Sequence, residues 1–132
     1  MNLLFEEDYK ILESTGLFYT EDFQNRYFVI KNFPLEEGLY KSNEKLLLEV
    51  EVLVIIPSNY NTSGIDMFWT FPNLSRADGV QIPAYGGDPR IYENKIYERW
   101  SRHWKSESWE VKVDNIQKIL SRIEWALKNP ST

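Results

Sequence analysis

Leu46-Leu47-Leu48-Glu49-Val50-Glu51-Val52-Leu53-Val54-Ile55-Ile56, closed by Pro57, is the stretch whose reading settles the class of fold. Leu48, Val50, Val52, Val54 and Ile56 share one face at the period of two that a strand requires. The opposite face starts with Glu49 and Glu51 and turns apolar at Leu53 and Ile55. The second half of this strand is therefore expected to be covered on both sides. Pro57 lacks the N–H that a further ladder bond needs, and ends it.

Two more strands flank it. Upstream, Tyr27 to Phe33 is aromatic and β-branched and stops at Pro34, and Glu36-Glu37-Gly38 has turn chemistry. Downstream, after a loop from Ser58 to Asp66, Met67 to Phe71 reads as a third strand. Further out the period changes. Leu4 to Ser14 carries Leu4, Tyr9, Ile11 and Leu12 among acidic residues and stops at Gly16, which predicts a short N-terminal helix. Ile116, Ile119, Leu120, Ile123 and Leu127 form one helical stripe, with Asp114 and Gln117 in capping-box spacing and Asn129-Pro130 at the end. Pro72 to Glu93 is rich in proline and glycine and reads as loop. Ile96 to Trp104 reads as a short helix, because Tyr97, Trp100 and Trp104 follow i, i+3, i+7 spacing. Strands grouped between terminal helices make an α+β domain spanning residues 1–132.

Composition excludes several functions. The 132 residues contain no cysteine, which removes disulfides, thiolate metal sites and thioester chemistry together. A single histidine, His103, rules out a multi-histidine metal cage. Asp66, Asp78, Asp88 and Glu93 match no calcium-loop spacing and read as solvated acids, and Gly86-Gly87 lacks the Lys-Ser/Thr of a phosphate cradle. No metal or cofactor is expected. Fifteen Lys and Arg against 20 Asp and Glu leave a net charge of -5 with no basic block, so nucleic acid is a poor partner. No apolar run approaches the ~20 residues of a membrane span. The acidic N-terminus does not resemble a secretory signal, and a cytoplasmic protein is expected.

From Pro57 onward the chain resembles the ubiquitin-conjugating enzymes. Pro57-x-x-Tyr60 matches that family's motif at the end of a central strand, Phe71-Pro72-Asn73 resembles its His-Pro-Asn turn, and Gly79 stands where its glycine would. Trp109 followed by the final helix resembles its closing segment. The similarity is closest to a bacterial branch that lacks the cysteine and carries a Trp-Ser-Arg-His-Trp segment, here Trp100 to Trp104. It implies a four-stranded meander with flanking helices, and a ubiquitin-like protein or an activating-enzyme homologue as partner. Departures are clear: Asn61 follows Tyr60 in place of Pro, Ser63-Gly64 replaces a later Pro pair, and Phe71 replaces His. Counting forward from Gly79 places the family cysteine near Ile82, counting back from Trp109 places it near Ser101, and the longer intervening loop leaves both counts standing.

Two functional readings follow. In the first, the chain binds its partner without carrying the modifier, through Trp100, Arg102, Trp104 and Trp109, since Trp and Arg are favoured at interface centres. The bland alternative is that these Trp residues cover the core. In the second, transfer proceeds without a thioester, through Ser101 or with His103 as base. A lone histidine lacks triad geometry, so a ring packed between Trp100 and Trp104 is the favoured reading of His103.

Overall fold

The computed structural model describes residues 2–102 and 109–131. Helix α1 (Glu6–Thr15) is followed by β1 (Tyr19–Asp22), β2 (Tyr27–Pro34), β3 (Tyr40–Ser42), β4 (Lys45–Leu46), β5 (Glu49–Ile55) and β6 (Met67–Phe71). Then come β7 (Ser75–Arg76), β8 (Arg90–Tyr92), β9 (Lys95–Ser101) and helix α2 (Ile116–Lys128). The main sheet is antiparallel, in the order β1-β2-β5-β6-β9-β8, and β4-β3-β7 forms a small second sheet. The architecture is the expected α+β one, with a sheet of six strands where the resemblance implied four.

The β5 pattern works as its alternation demands. Val50, Val52, Val54 and Ile56 point into the main core with Phe28, Ile30, Phe68 and the α2 stripe. Leu53 points the other way, into a second cluster with Val29, Trp69 and Tyr97. The strand is shorter than the apolar run, however. Leu46 belongs to β4 of the small sheet, and Leu48 is 67% exposed. Helix α2 buries Ile116, Ile119, Ile123 and Leu127, each at 3% exposure or less. Its cap is Asn115, whose side chain accepts from the Gln117 N–H, one residue later than the expected Asp114. Asp114 instead accepts from the Glu110 N–H.

The segment from Ile96 is a strand where helical spacing predicts a helix. In β9, Tyr97 and Trp100 fall on opposite faces, and each meets its own apolar layer: Tyr97 in the second cluster, Trp100 in the main core. A strand covered on both sides has no polar alternation to betray its period, so two buried aromatics three apart mimic a helix face. The β8–β9 hairpin turns at Glu93-Asn94, both with positive φ.

The sheet curls until its outermost strands touch. Thr20 on β1 and Tyr92 on β8 exchange a hydroxyl hydrogen bond at 2.9 Å, although four strands separate them in the sheet. No helix among the described residues is long and apolar enough to cross a membrane.

Candidate functional site

Around the Phe71-Pro72-Asn73 turn, β6 leaves the sheet and the chain runs through β7 into an exposed bend. Leu74 donates its N–H to the Tyr85 hydroxyl at 2.8 Å, and that hydroxyl donates to Asn73 Oδ1 at 2.6 Å. The Tyr85 ring meets Trp100 edge-on, with centroids 5.4 Å apart, and Trp100 donates its indole N–H to Thr70 at 2.9 Å. Burial pushes the Tyr85 phenol above its usual pKa, so this hydroxyl remains a neutral hydrogen-bonding group.

Beside the turn opens a groove of ≈ 320 Å³ walled by Leu74, Arg76, Gly79, Val80, Ile82 and Tyr85. Arg76 forks onto Asp78 at 3.1 and 2.6 Å and donates to Ser131 at 2.6 Å. The Arg76 hydrogen bond holds the Asp78 carboxyl below the usual range, with help from the Val80 N–H. Gly79 has φ +81 at the bend, a conformation glycine adopts freely. Val80 is 51% exposed, whereas Ile82 is 7% exposed and belongs to the core.

Ile82 and Ser101, the two places reached by counting, belong to different segments, the loop after β7 and the end of β9. Ile82 lines the groove beside the Phe-Pro-Asn turn. Ser101 is paired with Met67, at the end of β6 away from Phe71. At about 3.3 Å per residue, the ends of this five-residue strand lie roughly 13 Å apart. The Ser101 N–H nevertheless donates to the Ala84 carbonyl at 3.1 Å, which holds the end of β9 against the loop that carries Ile82 and Tyr85.

The proposed partner-binding residues separate as well. Trp100 is 0% exposed and Arg102 4%, so neither presents a side chain to a partner, and for these two the core reading replaces the surface reading. The Arg102 guanidinium stacks on Trp100 at 5.0 Å and donates to the carbonyls of Pro83, Ser101 and Pro130. It fixes the strand end, the loop and the chain beyond α2 to one another, and burial lowers its pKa from the usual value. Trp109 is half-buried, donates its indole N–H to the Asn61 carbonyl at 2.9 Å and lies against Gly64. His103 and Trp104 lie outside the described residues.

The Pro57-x-x-Tyr60 loop is anchored from inside. The Tyr60 hydroxyl donates to Asp8 Oδ1 at 3.0 Å, and the same oxygen accepts the Ile116 N–H at 3.0 Å. Asp8 is 1% exposed and its other oxygen accepts the Phe5 N–H at 2.9 Å. This carboxylate thus joins α1, the loop and the positive end of α2. Sequence reading missed it, although its spacing from Leu4 and Leu12 placed it on the apolar side of the helix. Asn61 is a second anchor: its amide donates to the Asp114 carbonyl at 2.8 Å, and its own carbonyl also accepts from the Lys112 N–H. Among the described residues no group of acids or histidines is arranged to hold a metal ion.

No curated protein and no solved structure gives a significant match to this chain. One family description does match, that of prokaryotic E2 family E, over residues 4–130. The match takes in α1, the whole sheet, the Pro57-x-x-Tyr60 loop, the Phe-Pro-Asn turn and α2. The chain therefore belongs to prokaryotic E2 family E, a family related to the ubiquitin-conjugating enzymes.

Proposed function

We propose that this protein is a binding module of a ubiquitin-like modification pathway, engaging a ubiquitin-like protein or its activating enzyme without carrying the modifier itself. The observation that carries this reading is the groove beside the Phe71-Pro72-Asn73 turn, whose buried wall is Ile82. An acyl carrier needs a nucleophile in reach of the incoming carbonyl. Ile82 has none, the neighbouring Tyr85 phenol is held neutral, the Ser75 hydroxyl donates to the Lys41 carbonyl, and the chain has no thiol. What the groove offers is a shaped surface of mixed polarity with one exposed aliphatic side chain, Val80, on its rim. Trp109 and Trp104 are the remaining aromatic candidates for contact with the partner.

Titration calorimetry against ubiquitin-like proteins and activating enzymes of the same organism tests the reading. Val80→Glu changes an exposed position and should leave the fold intact. It should weaken the complex about tenfold, ~1.4 kcal/mol, as loss of a central apolar contact does. Absence of heat with every such candidate would refute the binding role. Undiminished affinity in Val80→Glu would place the contact away from the groove.

A further inference from the structure

The second apolar cluster lies on the sheet face turned away from the helices. Val29, Leu53, Trp69 and Tyr97 are there at 0–2% exposure, although no helix among the described residues belongs to their cluster. The chain from Gly86 to Glu93 covers them. The Asp88 carbonyl accepts the Trp69 indole N–H at 2.7 Å, and the Arg90 guanidinium sits 4.9 Å from the indole centre. Tyr92 meets Tyr27 edge-on at 6.2 Å and reaches Thr20 on the far edge of the sheet.

This cover is attached differently from the rest of the domain. Strand β8 has a ladder on one side only, of three residue pairs with β9. It begins after Gly86 and Gly87, at φ +89 and +90, and ends at the tight Glu93-Asn94 turn. Its far end is held by charge. Lys31 on β2 bonds Glu93 and also Glu51 at 3.3 Å, and Glu51 accepts from Lys95 at 2.9 Å and Tyr97 at 2.7 Å. Part-exposed ion pairs of this kind contribute little each, and a one-sided three-residue ladder adds little more. Closure also buries Trp69 and Tyr97 and adds the Gly86 N–H bond to the Arg99 carbonyl at 2.7 Å. Opening is therefore a minor excursion, but one that breaks far fewer ladder bonds than opening the central strands.

We propose that residues 86–93 form a hinged strap, clasped through Glu93, Lys31 and Glu51, that opens as a unit while the remaining fold stays intact and so controls exposure of Trp69. Gly86 and Gly87 are the hinge. Arg90 and Trp69 also line a groove of ≈ 290 Å³ with Ile55 and Met67, so opening moves one wall of that groove and bares the indole face. Release of the clasp turns a closed apolar layer into an accessible one.

Hydrogen exchange read by mass spectrometry tests this on the full chain. In the wild type, amides of residues 88–92 should exchange at least tenfold faster than those of β5. Glu93→Gln, an exposed change at the clasp, and Tyr92→Phe, which removes only the hydroxyl bonded to Thr20, should each speed strap exchange severalfold further, with the urea midpoint and β5 protection unchanged. Strap amides that exchange at the β5 rate in all three proteins would overturn the proposal. So would variants whose midpoint falls in step with strap protection, since the strap would then unfold only with the whole domain.

Discussion

The Tyr60 hydroxyl and the Asp8 carboxylate meet at 3.0 Å in the interior, where Asp8 Oδ1 simultaneously accepts the first N–H of α2. One oxygen thus ties the Pro57-x-x-Tyr60 loop to both helices. The buried Asp8 side chain forms no ion pair among the described residues and is held by hydrogen bonds from Phe5, Tyr60 and Ile116. Burial, and then the adjacent Asp8 side chain, raise the Tyr60 phenol pKa, keeping the hydroxyl a donor. Tyr60→Phe should cost about 1.5–3 kcal/mol, the range for a hydrogen bond to a charged group. Asp8→Ala should cost more, because it also strands the Ile116 and Phe5 N–H groups. Urea unfolding should show lowered midpoints at unchanged slope, and a Tyr60→Phe midpoint equal to wild type would contradict the arrangement.

Gly64 and Trp109 form a second pairing with a sharp consequence. A Cβ on Gly64 would collide with Trp109 Cε3, so the indole must leave its place. Gly64→Ala should cost about 1–3 kcal/mol by overpacking. It should also break the Trp109–Asn61 hydrogen bond, seen as a shifted indole N–H resonance. An unmoved resonance in that variant would refute the contact.

The α2 stripe carries the main core. Ile119 and Ile123 are 1% and 0% exposed, and replacing either with Ala should cost about 2–5 kcal/mol. Calorimetry should show a clear loss of Tm for each. Tolerance of both would mean that the helix does not pack as described.

Two titrations give pH dependence of opposite sense. Burial acts to raise the Glu51 pKa, but hydrogen bonds from Lys95 and Tyr97 and the charge of Lys31 outweigh it and hold the carboxyl below its usual range. Its contribution is present at neutral pH and is lost as pH falls below the ordinary glutamate value of about 4.3 towards the depressed one. Tyr9 behaves the other way. Burial and the Glu21 carboxylate push its phenol up to about 12, so the folded state keeps its proton while the unfolded chain loses it. Stability should fall from about pH 10 upward until the folded phenol ionises. Urea midpoints across pH should lose part of the acid limb in Glu51→Gln and part of the alkaline limb in Tyr9→Phe. Limbs that keep the wild-type slope would show that these groups are not perturbed.

Sequence reading recovered what periodicity encodes. The alternation in β5 and the stripe in α2 each have one dominant buried face, and the positions Val50 to Ile56 and Ile116 to Leu127 followed from it. It failed where both faces are covered. Tyr97 and Trp100 left no polar side to count from, and so β9 read as a helix. The hairpin signal was present in Arg90-Ile-Tyr-Glu-Asn-Lys-Ile-Tyr97, two Ile-Tyr pairs about a two-residue turn, but Glu93-Asn94 lacks the glycine that usually marks such a turn. Asp8, Tyr85 and Glu51 act through partners 12 to 108 residues away, and no local pattern carries such links. The resemblance drew attention to the Phe-Pro-Asn turn, which no helical or strand period marks. The surface role of Trp100 and Arg102 did not survive their burial, because residue type alone does not separate an interface anchor from a core residue.

Binding without carriage is tested most directly by intact-mass spectrometry of the protein after incubation with its ubiquitin-like protein, the activating enzyme and ATP. The groove wall at Ile82 and the absence of any thiol predict an unchanged mass, under conditions where the non-covalent complex forms. A mass gain of one modifier that survives thiol reductant and disappears in Ser101→Ala or His103→Ala would contradict the binding role and assign the protein to transfer chemistry.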